Sequence, residues 1–142
     1  MMDARVTALI NYYHLLTAES LAHMAEFYTL DAYFKDPFDE VRSLEEIQVN
    51  FKKMFTHLRD AKFKVTESVT QDNTTILIWD FTFRIPKYKP DITQRIRGVS
   101  HIRFDANGKV NYHRDYWDAA EELYEKLPLI GGLMRFLKRR MG

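Results

Sequence analysis

The sequence has no cysteine, which removes disulfides, thiolate metal ligands and thiol nucleophiles from the chemistry open to it. Glycine and proline are scarce, five and four in 142 residues, and no low-complexity linker divides the chain. No apolar run approaches the length of a membrane span, and the first residues show no charged-then-apolar leader pattern, so a cytoplasmic location is expected. The five histidines include no pair at helical ligand spacing. With no cysteine beside them, neither a metal nor another cofactor is expected.

What the chain does have is apolar mass. Hydrophobic residues make up 46% and aromatics 14%, enough for one packed domain with ring-rich walls. The net charge is +1, but Arg135, Lys138, Arg139 and Arg140 give the last eight residues +4, so residues 1–134 carry −3.

Periodicity places the elements. Asp3 caps a helix running to about Leu16, with Val6, Leu9, Ile10, Tyr13 and Leu16 on its apolar stripe and Tyr12 flanking it. A second helix is expected from Thr17 to Tyr28, burying Leu21, Met24, Ala25 and Tyr28. The period then changes: Tyr33 and Phe34 favour a strand that Pro37 cannot continue, leaving Asp36 at its end between Phe34 and Phe38. Ser43-Leu-Glu-Glu46 is a capping box for a helix to about Thr56 carrying Ile47, Phe51, Met54 and Phe55. Strands follow over Lys62–Thr70, Thr74–Ile85, Gln94–Phe104 and Val110–Trp117. Leu77, Trp79, Phe81 and Phe83 share one face of the second of these, and Ile96, Gly98, Ser100, Ile102 and Phe104 one face of the third. Helices first and an antiparallel sheet afterwards make an α+β fold, with helices on a concave sheet face. Residues 1–120 form the domain, and 121–142 a C-terminal helical extension with a basic tail.

The last strand gathers the chemistry. A two-residue hairpin around Asn107-Gly108 pairs 106 with 109, so Ser100 faces Asp115, Ile102 faces His113 and Gly98 faces Trp117. An imidazole, a carboxylate and an indole then point inward on one strand, beside a serine. Two positions apart, His113 and Asp115 are expected to be neighbours without direct contact. Buried ionisable groups are either paired structurally or kept for chemistry.

Phe34-Lys-Asp-Pro-Phe38, Ser100-His-Ile-Arg-Phe-Asp-Ala-Asn-Gly-Lys-Val110 and the element order resemble the nuclear transport factor 2-like superfamily. This is the cone-shaped, cystatin-like α+β fold shared by ketosteroid isomerases and SnoaL-like polyketide cyclases. The resemblance covers residues 3 to about 120 and implies a homodimer joined through the outer sheet face. It also implies roles: Asp36 matches the isomerase's general base, and Tyr12 falls at the spacing of its oxyanion-binding tyrosine. Ser100 stands where the isomerase has a protonated aspartic acid, while His113 and Asp115 replace residues that are apolar there. The resulting pocket is closer in style to the SnoaL-like cyclases.

The functional expectation is therefore a pocket for a small apolar molecule with polar handles. Asp36, Tyr12, Ser100, His113 and Asp115 would be its chemical groups, and Phe34, Phe38, Trp79, Phe81, Phe83 and Trp117 its walls. Proton transfer on a carbonyl compound, as an isomerase, cyclase or dehydratase, is one reading. A non-catalytic binding or protein-interaction module is the other. The basic outer face (Arg84, Lys87, Lys89, Arg95, Arg97, Arg103) is read as solvated or dimer-facing rather than as a nucleic-acid surface. The C-terminal tail is read first as a strap on its own domain and second as a membrane-surface helix.

Overall fold

A computed structural model describes residues 2–119, 121 and 122. The expected C-terminal extension and its basic tail lie outside the described residues, apart from 121 and 122. Among the described residues, no helix is long and apolar enough to cross a membrane.

Helix α1 spans Ala4–His14, and its N-cap Asp3 accepts the backbone N–H of Arg5. It buries Val6, Leu9, Tyr12 and Tyr13. The second helix departs from expectation. It is a short 3₁₀ helix over Glu19–Glu26, and Tyr28 already begins strand β1, Tyr28–Lys35. Thr17 and Ser20 cap one another reciprocally at its start. Its end is set from a distance, because the Phe27 carbonyl accepts the Val110 N–H at 2.7 Å and Tyr28 pairs with Val110 in the sheet. A tertiary ladder overrides the helical stripe there.

After the short strand β2, Glu40–Val41, helix α2 runs over Leu44–His57, with Ser43 Oγ accepting the Glu46 N–H as the capping box requires. The remaining strands are β3 (Arg59–Gln71), β4 (Thr74–Arg84), β5 (Gln94–Phe104) and β6 (Val110–Tyr116). One sheet runs β2-β1-β6-β5-β4-β3, antiparallel except where β1 lies parallel to β6. The helices cover its concave face, α1 against β3 and α2 against β1. This is the α+β architecture expected.

The β5–β6 turn corrects one expectation. Residues 106 and 109 do not pair. Asp105 pairs across to Lys109, Gly108 takes φ 79°, and the Asp105 carboxylate accepts the N–H groups of Asn107 and Lys109. The loop is thus one residue longer, which alone would turn β6 over. A bulge between Arg103 and Phe104 shifts the register back, so Ser100 still faces Asp115 and Ile102 still faces His113.

Candidate active site

Alternation along β4 and β5 points Trp79, Phe81 and Phe83, and Ile96, Gly98 and Ser100, into the space beneath the helices. Parallel pairing of β1 with β6 sets Phe34 beside His113. The result is a buried chain of polar groups. Tyr13 and Tyr28 hydroxyls hydrogen-bond, Tyr28 Oη lies 2.7 Å from His113 Nδ1, and His113 Nε2 lies 2.6 Å from Asp115 Oδ1. Ser100 Oγ donates to the same Asp115 oxygen at 2.5 Å and accepts the Trp79 indole N–H at 2.8 Å.

His113 and Asp115 are therefore in direct contact, contrary to the estimate from strand spacing. Their Cα atoms are two residues apart, but the imidazole is long enough to lean along the strand and close the gap. The hydrogen bonds also assign the tautomer. With Nε2–H donated to Asp115, Nδ1 accepts from Tyr28, which accepts from Tyr13, and every polar hydrogen of this chain has an acceptor.

Beside this chain lies a cavity of about 70 Å³, walled by Phe34, Phe38, Phe81, Phe83, Trp79 and Trp117. Asp36, Asn50 and Asp115 are its polar lining. Burial is the main force on Asp36, pushing its carboxyl up to about 7 from 3.8, and the nearby Asp115 adds to the rise. The N–H groups of Phe38 and Asp39 oppose it, each donating to Oδ1 at 2.8 Å. Both hydrogen bonds on Asp36 fall on Oδ1, and both on Asp115 fall on its own Oδ1. Each carboxyl thus keeps Oδ2 without a partner among the described residues.

Asp36, Asp115 and all six aromatic residues expected at the walls line this cavity. Ser100 and His113 stand behind Asp115 and line a smaller adjoining pocket of about 20 Å³. Ser100 stands where the resemblance implies a protonated acid, but its own proton is committed to Asp115. Tyr12 is not brought to the site. Its ring stacks on Phe27 and its hydroxyl donates to the Ser20 carbonyl at 2.8 Å. One position on, Tyr13 takes the inward place, because the α1 stripe turns Tyr13 and not Tyr12 over the sheet.

Asn50 was not singled out by sequence. It is 9% exposed, lines the cavity, and its Nδ2 has no hydrogen-bond partner among the described residues. The signal was present: Asn50 sits between Ile47 and Met54 on the apolar stripe of α2, where a polar residue needs a reason. Among the described residues, no three His, Asp or Glu side chains gather closely enough to hold a metal ion.

Residues 9–113 match the SnoaL-like domain family, and the chain belongs to it. No curated protein matches the sequence. Solved structures show the same fold. A candidate SnoaL-like polyketide cyclase from Shewanella putrefaciens superposes with TM-score 0.75 at 19% identity, covering 91% of this chain and 99% of that one. A hypothetical protein of ketosteroid isomerase-like fold from Catenulispora acidiphila, solved in complex with trimethylamine, gives 0.71 at 11% identity, covering 87% and 92%. A steroid delta-isomerase from Pseudomonas aeruginosa gives 0.64 at 17% identity, covering 99% and 93%.

Proposed function

We propose that this protein catalyses proton transfer on a small carbonyl compound, as an isomerase, cyclase or dehydratase does, with Asp36 as the acid–base group. The observation that carries this is Asp36 itself, a carboxyl buried among aromatic rings and pushed up to about 7. Near neutral pH such a group is present in both forms, so it can take a proton from carbon and return it elsewhere. Its carboxylate would remove a proton α to the carbonyl, and the unpaired Asn50 Nδ2–H is suited to the oxygen on which negative charge then develops. The proton held on Asp36 would be delivered to another carbon of the same substrate, which leaves the atoms balanced and the enzyme unchanged. Asp115, braced by His113 and Ser100, is a second polar handle. Relatives of this fold named as a cyclase and an isomerase support the class of reaction.

Deuterium exchange at the α-carbons of small ketones in D₂O, followed by NMR, tests the proposal without knowledge of the natural substrate. Exchange with cyclohexanone should exceed that in matched buffer and fall by about 10² to 10⁴ in Asp36→Asn. A folded Asp36→Asn that exchanges as fast as the parent chain would refute the role given to Asp36. A parent chain that binds ketones without exchange would make this a binding module. A homodimer belongs to the same proposal, through the outer sheet face that exposes Val69 and Tyr116, and sedimentation measures it.

A further inference from the structure

The cavity is electrostatically lopsided. Its polar lining includes the carboxyls of Asp36 and Asp115, and no lysine or arginine stands among its described lining residues. A carboxylate in an apolar cavity is costly without a counter-charge. Ser100 supplies only a neutral hydroxyl dipole. His113 satisfies its hydrogen-bond chain as the neutral imidazole. An imidazolium would donate from both ring nitrogens, and the Tyr28 oxygen would then accept from Nδ1. One of the two linked tyrosine hydroxyl protons would then need an acceptor outside the chain, whereas the neutral imidazole needs none. In that arrangement the groups bonded to Asp115 act as dipoles, and no lysine or arginine is among the cavity's described lining residues.

The walls answer the same need. Trp79, Trp117, Phe38 and Phe81 line the cavity, and aromatic faces attract cations electrostatically, most strongly where water is excluded. Their arrangement leaves about 70 Å³, which admits roughly five waters or an organic group of similar bulk. A small cation with an apolar shell fits both the charge and the walls, whereas the described residues gather no set of metal ligands and a free anion would meet two carboxyls, with the Asn50 amide as the unpaired side-chain donor in the described lining.

We infer that the polar handle of the ligand is an alkylammonium cation, seated against Asp115 and the aromatic walls of the cavity. This deepens the function proposed above and rests on it only in taking the cavity as a ligand site. The substrate class becomes a carbonyl compound carrying an amine.

The chain's two tryptophans both line the cavity, so intrinsic fluorescence reports on it directly. The intact chain is titrated with choline, with its neutral isostere 3,3-dimethylbutan-1-ol, and with cyclohexanone. Choline should bind at least about tenfold more tightly than the isostere, as expected of a desolvated cation–aromatic contact. In Asp115→Asn that preference should vanish while the isostere binds as before. If the variant does not fold, the comparison on the parent chain still decides. Equal binding of choline and its isostere, or binding of cyclohexanone alone, overturns the cation and leaves the cavity as a ligand site. No fluorescence change with any of the three overturns both.

Discussion

The indole of Trp79 lies flat over Gly98, its cross-strand partner, so closely that a Cβ at Gly98 would overlap three carbons of the ring. The glycine is what lets the ring reach across β5 and donate to Ser100. Gly98→Ala should therefore push Trp79 off the sheet, costing about 1–3 kcal/mol of stability as overpacked cores do. Red-shifted tryptophan emission would accompany the loss, because the indole moves toward water. Unchanged emission and melting temperature would show that the sheet can give way beneath the ring.

Asp36 makes stability depend on pH. Its carboxyl is raised to about 7 in the folded chain, from 3.8, so folding favours the protonated form. This contribution is complete below about pH 4 and is lost as pH rises through about 7, with a slope near 1.4 kcal/mol per unit between them. The urea midpoint of the parent chain should thus fall relative to Asp36→Asn from pH 5 to pH 8. A difference that stays flat over that range places the carboxyl back in the ordinary range.

Asn50 separates structural from functional roles. Its Nδ2 is buried and unpaired, so Asn50→Leu removes an unsatisfied donor and should leave stability equal or about 1 kcal/mol higher. Ketone exchange or binding should fall by about tenfold, the worth of one hydrogen bond to the ligand. A variant that loses stability and keeps its activity would reverse this assignment.

Tyr28 bridges Tyr13 and His113. Tyr28→Phe strands the Tyr13 hydroxyl and His113 Nδ1 together, at a cost of about 1–3 kcal/mol. Adding Tyr13→Phe removes one stranded group, so the double variant should be less destabilised than the sum of the singles. Chemical denaturation of the full cycle measures this coupling.

Much of the fold was legible in the residues. Period-two alternation placed β4 and β5 and their inward faces correctly, because side chains on a strand have no other way to sort. Ser43 and Glu46 announced α2, and Phe34-Lys-Asp-Pro-Phe38 announced a carboxyl at a strand end. The inward turn of Asp115 was also legible, although through two compensating departures: a longer Asp105–Lys109 turn and a bulge beside Phe104. Tyr12 shows the limit. Its spacing suggested the site, but about 100° of helical rotation per residue lets a neighbour take the place, and Tyr13 did.

Composition and local pattern thus determined the elements, their buried faces and the carboxyls available for chemistry, since these follow from backbone geometry and the cost of burying charge. Tertiary structure decided which of those groups meet. The end of the 3₁₀ helix at β1, the contact of His113 with Asp115 and the unpaired amide of Asn50 all depend on residues far away in sequence. Only packing could set the low-dielectric surroundings that raise Asp36, because the field at a carboxyl is made by everything around it.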